Sequence, residues 1–293
     1  MRQLPRKLMF NDGYVLDPTH IFIASQLQAY AKDDVSRISV IADGKWKFAD
    51  LDDAVLSVAC LQKERLTFFM GHNGKIFVTG RGKIEKEILP VTDKLGTLLR
   101  IRNIAEKIYV CGMSGQVYRR DENAWIEIDQ GIRGLAGIDF EDIGGSSAED
   151  IYAVGMPGIV YHFNGRQWRK LDFPTNRPLS GVKCVSKDEV YVCGNNGNLF
   201  RGSRDQWEFI GDKKIKSNFW AVEEFQNKIY VAYGAGLFVH DAAGLSKLDF
   251  ADKGEIDGHR LHANGGVLWS FGINNVFCFD GSTWQRVICP KNV

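Results

Sequence analysis

The pair His259-Arg-Leu-His262 is the first place to look for metal chemistry, because two imidazoles sharing a face can hold a divalent ion. The spacing argues against it: at i and i+3 in a strand-rich segment the two side chains point to opposite faces. Turns such as Gly112-Met-Ser-Gly115 and Gly155-Met-Pro-Gly158 have the look of phosphate loops. They join strand to strand, however, and lack the helix N-terminus that would supply the anion site. Six cysteines, Cys60, Cys111, Cys184, Cys193, Cys278 and Cys289, lie mostly in apolar strand patterns, and none forms a Cys-x-x-Cys pair. They read as buried small hydrophobes in a reducing compartment, with a disulfide pair as the alternative and the wrong spacing for zinc. No Ser-His-Asp order and no paired-carboxylate motif stands out. The expectation is a non-enzyme with no catalytic residue, no metal and no cofactor.

Bulk properties narrow the field further. Lysine plus arginine number 37 and aspartate plus glutamate 36, so no global field attracts nucleic acid or an anionic membrane. A hydrophobic content of 44% is ordinary for a globular protein. No apolar run approaches the roughly 18 residues needed to span a bilayer. Met1 to Phe10 has basic residues with no apolar stretch behind them, so no secretory signal is expected. These readings predict a cytoplasmic monomer with no direct nucleic-acid or membrane partner.

What positions the side chains is a repeated unit. In Asp150-Ile-Tyr-Ala-Val-Gly-Met-Pro-Gly-Ile-Val-Tyr-His-Phe-Asn-Gly-Arg-Gln-Trp168, β-branched and aromatic runs suit pleated strands. Gly155 and Gly158 bracket a turn where φ > 0 is expected. Asn164-Gly165 is the dipeptide of a tight hairpin, and a third strand begins at Trp168. Lys107 to Tyr118, Glu189 to Phe200, Lys228 to Val239 and Val267 to Cys278 repeat the pattern, and Leu66 to Phe77 does so more weakly. The turn glycine recurs at 71, 112, 155, 194 and 272, with Tyr233 in the equivalent place. Steps of about 40 residues are typical of propeller blades.

Units over 1–50, 51–90, 91–129, 130–174, 175–211, 212–251 and 252–293 fill the 293 residues as one domain. Lys7 to Phe10 reads either as the inner strand of the first unit or as a strand crossing to the last. The best helical candidate, Ala24 to Asp33, is weak. The predicted fold is all-β, a seven-bladed β-propeller of four-stranded antiparallel blades, with six blades plus an irregular N-terminal piece as the alternative. Sheets apolar on both faces bury them by stacking, and closing the circle removes the exposed ends. The tryptophans at 46, 125, 168, 207 and 284 recur at one framework position, which predicts packing between blades.

The Tyr-Val-x-Gly-x-x-Gly core followed by Asn/Asp-Gly-x-x-Trp resembles the degenerate propeller repeats grouped with YVTN, kelch and Asp-box sequences. That likeness covers nearly the whole chain and specifies fold rather than function. Sialidase-like propellers carry Ser-x-Asp-x-Gly-x-Thr-Trp boxes and an arginine triad. Asp280-Gly-Ser-Thr-Trp284 looks like the end of such a box but lacks one residue between Asp and Gly. Arg100, Arg102, Arg133 and Arg177 do not occupy equivalent unit positions, so a glycosidase is not the favoured reading.

The variable turns and connecting loops remain, and they should emerge on one face. There His72, Met113, Met156, Asn195 and Ile273 differ from unit to unit, and the apolar ones form a candidate partner patch. Asp52 and Asp53, together with Glu255 and Asp257, suggest an acidic sector, whereas Lys213, Lys214 and Lys216 suggest a basic one. A regular frame with individual loops suits a protein-binding scaffold serving one dedicated partner. Single-domain propellers of this kind are similar to some bacterial immunity proteins. That resemblance implies a secreted toxin as partner, for example a nuclease whose active site the loop face would cover. A sugar-recognising lectin or lyase, and an assembly scaffold for a larger complex, are the alternatives.

Overall fold

The computed structural model describes residues 7–27, 35–80, 82–90 and 93–292. Seven four-stranded antiparallel sheets follow one another along the chain, and in each the four strands are consecutive in sequence. The inner strands are Leu8–Asp17, Val55–Leu61, Leu98–Ile104, Asp139–Ser147, Leu179–Ser186, Phe219–Phe225 and Arg260–Asn264. Blade four shows the plan: Asp139–Ser147, Asp150–Met156, Ile159–Phe163 and Trp168–Lys170 run from the axis outward. Leu8–Asp17 pairs with His20–Leu27 of its own blade, which decides between the two readings of the N-terminal strand. Among the described residues, helical structure is confined to two single turns, Asp93–Leu95 and Met113–Gly115. Of the helical candidate, Ala24 to Leu27 belongs to a strand, and the remainder lies outside the described residues.

Strand periodicity explains why the ring forms. In blade four Ile151, Tyr152, Ala153 and Val154 are all fully buried. Ile151 and Ala153 pack into a cluster with Tyr109 and Cys111 of blade three. Tyr152 and Val154 pack the other way, with Val182, Val190 and Val192 of blade five. One strand with period two therefore supplies both inter-blade layers, which an isolated sheet cannot bury. Similar clusters join blades five to six, six to seven and seven to one, and a larger one spans blades one to three.

The recurrent tryptophans are the first or second residue of the fourth strands, and four of them reach the preceding blade. Trp168 donates its indole N–H to the Ile128 carbonyl at 2.7 Å, and Trp125 donates to Glu87 at 2.8 Å. Trp207 meets Tyr152 edge-on, and Trp284 packs on Tyr230 and Phe250.

Of the two turn glycines in blade four, Gly158 has φ +72°, as the turn demands. Gly155 does not adopt positive φ, contrary to the sequence-based expectation. Its constraint is contact: a Cβ there would overlap the Asp139 carbonyl of the adjoining inner strand. Gly112 and Gly194 face the same obstacle from Thr97 and Pro178. Blade six carries Tyr233 instead, with a two-residue turn and its ring 4.8 Å from Phe238. Gly155→Ala should therefore destabilise the protein by about 1–3 kcal/mol, the usual range for overpacking, as read from a denaturant midpoint. An unchanged midpoint would contradict this account of the glycine.

Candidate binding face and axial charge network

Six of the seven inner strands carry a bulge at a common level. Register shifts fall between Phe10 and Asp12, Val55 and Ser57, Phe140 and Asp142, Leu179 and Gly181, and Phe219 and Ala221, with a matching one opposite Arg100. A bulge re-aims the next side chain. Here the residues that follow include Asp12, Ser57, Arg100 and Asp142, and three of these four are charged. Asp12 of blade one lies 3.6 Å from Arg100 and 3.5 Å from Arg102, both on blade three. Only the central axis lets blade one reach blade three past blade two. Arg102 continues to Asp142 of blade four at 3.1 Å.

Hydrogen bonds complete the network. Asp12 accepts from the Gly13 amide, the Ser57 hydroxyl and the Val58 amide, and Asp142 accepts from the Val182 amide. Burial raises the Asp12 carboxyl pKa, but the positive charges of Arg102 and Arg100 outweigh it and hold the group below the usual carboxylate range. Lys183 pairs with Glu223 farther round the ring. Among the described residues Arg260 bonds only carbonyls, of Trp220 and His259, and its pKa is lowered to about 9 by desolvation first and then by the like charge of Arg100. The arginines at 100, 102, 133 and 177 form no triad: Arg133 is tied to Asp129 in its own connector and to Tyr118 of the strand Val117–Asp121.

His262 accepts the Val15 amide at 3.2 Å through Nδ1 and lies on the Tyr14 ring, so it is neutral and joins blade seven to blade one. His259 meets Trp220. Both titrate near 3, through desolvation first and nearby lysine or arginine charge second. Ser146 and His162 each bond Asp150, at 2.6 and 2.8 Å. The serine thus donates to the carboxylate rather than to the imidazole, which is not the relay needed to activate a nucleophile.

The turns between second and third strands share a face with the blade connectors. The His72, Met113 and Asn195 amides donate to Ala54, Thr97 and Pro178 at the connector ends. Residues where a connector meets the next inner strand also hold the turns of the preceding blade: Asp139, the first residue of its strand, accepts the Ser114 amide, and Asn218 accepts the Asn196 amide. Met113, Met156 and Ile273 are 37%, 39% and 41% exposed on this face, joined by Leu135 at 48%. Met113, Leu135 and Met156 belong to blades three and four and the connector between them.

The charged sectors differ in kind. Asp53 is fully buried, accepts the Ala54 amide, and faces His72 at 3.2 Å and Lys75 at 3.7 Å. Asp52 is exposed but paired with Lys86 at 2.8 Å. Asp257 fastens its own turn by accepting both N–H groups of Asn274. Glu255 is exposed and lines a broad polar hollow of about 920 Å³ with Asp257, Lys7, Lys247 and Arg286. Blade one stands between this hollow and Asp52, so the four acidic residues are not brought together. Lys213, Lys214 and Lys216 are exposed, and among the described residues none of them forms an ion pair. Beside them lies a groove of about 450 Å³ floored by Phe200, Trp207 and Phe209. Sequence reasoning assigned Trp207 to packing and missed the groove, because its walls come from separate strands and a connector.

Asp12→Ala would leave Arg100 and Arg102 short of a buried counter-ion, at a cost of about 3–5 kcal/mol. Equilibrium unfolding measures this, and a loss under 1 kcal/mol would contradict the assignment. The two histidines contribute to acid sensitivity. Their folded pKa lies below the unfolded value near 6.5, so the unfolded chain binds more protons between those values. Stability is fully present above about 6.5 and falls as pH drops toward 3. His262→Asn keeps an acceptor for Val15 without the titration. It should flatten the fall in unfolding midpoint between pH 6.5 and 4, whereas a slope equal to the parent's would refute the assignment.

Comparison with known proteins agrees with the architecture. The WD40 propeller domain of Doa1 matches with a TM-score of 0.74 at 11% identity, covering 94% of each chain. YCF48 bound to D1 peptide matches at 0.71 and 17%, covering 94% of this chain and 92% of that one. At those identities the likeness speaks for the fold alone. No family model matches the chain. The immune protein Tsi7 of Pseudomonas aeruginosa is 35% identical over 259 residues, covering 83% of this chain and 85% of that protein. By that relationship, the seven-bladed propeller described above belongs to the Tsi7 immune-protein family.

Proposed function

We propose that the chain is a non-catalytic immunity protein that binds a cognate toxin through its turn-and-connector face and covers the toxin's active site. The observation that carries this reading is the 35% identity to an immune protein across most of both chains. Two further features support it. The side chains with chemical potential are engaged in the frame, as with Asp12, Arg102, Asp142 and the Ser146–Asp150–His162 group. The turn face also offers exposed apolar groups on adjacent blades, Met113, Leu135 and Met156, which a protein partner can desolvate. The cytoplasm is the compartment in which such a protein would protect its own cell, and six free cysteines, four of them buried, are compatible with a reducing one.

A nuclease effector is the first toxin class to try, since a cleft open to a long polyanion calls for a broad cover. The buried Asp53 and the paired Asp52 do not favour phosphate mimicry by the acidic residues. The apolar arc on blades three and four and the lysines of the next connector are the better-supported contact surface.

The test is growth of bacteria producing a toxin encoded beside this chain. Co-expression of the chain should restore growth. Met113→Asp combined with Met156→Asp, both exposed and so compatible with folding, should weaken toxin binding at least about tenfold. Growth arrest despite the chain would sink the reading. Full protection by the double variant would move the contact off this arc.

A further inference from the structure

The groove beside the lysines is built rather than incidental. Phe173, Phe200, Trp207 and Phe209 form an aromatic nest, with Phe173 at 4.9 Å from Phe200 and 5.0 Å from Trp207, and Phe200 at 5.5 Å from Phe209. The Trp207 indole N–H is already used by the Arg204 carbonyl at 2.7 Å, which sets the ring's orientation. Lys213 and Lys216 stand on the rim. Their connector is fastened in place: the Asp212 carboxylate accepts the Lys214 amide, the Asp212 carbonyl accepts the Ile215 amide, and the Gly197 amide donates to Ser217. Lys216 donates to the Lys213 carbonyl at 2.7 Å, holding its charge over the groove.

This pairing of an aromatic floor with cations has no counterpart in the acidic residues singled out on this face. Asp52 and Asp53 have their lysine and histidine partners within the chain, whereas among the described residues none of the three lysines within four residues forms an ion pair, the neighbouring Asp212 carboxylate being taken up by the Lys214 backbone amide. Like charges so close repel one another, and an external anion would relieve that.

We infer that this groove receives an aromatic side chain flanked by carboxylates, on an acidic segment of the protein partner. The inference deepens the immunity reading and rests on it for the identity of the partner. The inserted ring gains edge and face contacts with Phe200, Trp207 and Phe209 beyond its buried area. Flanking carboxylates meet Lys213 and Lys216, which speeds encounter and selects against basic or neutral segments. The groove adjoins blade four, so it extends the arc of Met113, Leu135 and Met156 in one direction around the ring.

The test is a titration of the full ¹⁵N-labelled chain with the peptide acetyl-Glu-Asp-Phe-Asp-Glu-amide. Two controls replace the four acids by their amides, or the phenylalanine by alanine. Saturable shifts should centre on Thr175, Asn196, Asn198, Lys213 and Lys216. Each control, and the Lys213→Glu/Lys216→Glu variant, should bind at least about tenfold more weakly, and added salt should weaken the parent interaction. Lys213→Gln/Lys216→Gln serves as a milder second variant and should lie between. Shifts that do not saturate, that fall elsewhere, or that are equal for the uncharged peptide would overturn the assignment, as would unchanged binding by the charge-reversed chain. Toxin protection without peptide binding would remove the groove and leave the immunity reading standing. Peptide binding without protection would do the opposite.

Discussion

Closure of the ring depends on a seam that none of the described strands crosses. All four strands of blade one come from one stretch and all four of blade seven from another, so among the described residues the first and last sheets meet through side chains and single hydrogen bonds. The Phe10 amide donates to the Ile273 carbonyl at 2.9 Å, and Asn292 bonds both backbone groups of Leu8. Asn264 donates to the carbonyls of Val15 and Leu16, and neutral His262 accepts from Val15. Around them Phe10, Ile21, Trp269 and Phe271 form a shared buried cluster. Each blade buries its apolar faces only against its neighbours, so a seam that opened would expose two such faces at once. Inter-blade burial elsewhere cannot substitute, because every other face is already covered.

The axis adds a different constraint. Ion pairs from blade one to blade three and on to blade four fix which blades stand across from one another. Such a buried network contributes less net stability than an apolar packing of the same volume would, but breaking it by removing one partner is costly. Its value here is positional. With seam and axis holding the frame, the turns and connectors can vary without disturbing it, and residues at the connector-to-strand junctions such as Asp139 and Asn218 pin neighbouring turns in place. The exposed apolar arc and the lysine-rimmed groove are therefore displayed by rigid elements, which lowers the ordering cost of binding.

Much of the frame was legible in the chain itself. Runs such as Ile151-Tyr-Ala-Val154, repeated at one spacing, specify strands buried on both sides, and the tryptophan that follows marks the fourth strand. The reason for Gly155 was not legible, because it lies in a carbonyl sixteen residues away along the chain (Asp139) rather than in its own torsion angles. The roles of Asp12, Arg102 and Asp142 were hidden for a related reason: residues from blades one, three and four meet only once the circle is closed. Their signal was charge inside otherwise apolar inner strands, at Asp12, Arg100 and Arg102. On the face, exposure of Met113, Met156 and Ile273 followed from their turns, but the burial of Asp53 by His72 and Lys75 did not. An acidic residue in a loop reads as solvated until the fold supplies its partners.

The account turns on one surface, the side of the ring where turns and connectors meet, acting on a toxin while the frame stays unchanged. Hydrogen–deuterium exchange of the chain, free and bound to the toxin it neutralises, tests this most directly. Protection is predicted at 113–116, 129–138, 156–158, 173–178, 195–198 and 210–218, with the hairpin turns of the opposite face, such as 43–44, 164–167 and 204–205, unaltered. Protection concentrated on those opposite hairpins, with the turn face exchanging as in the free protein, would contradict it.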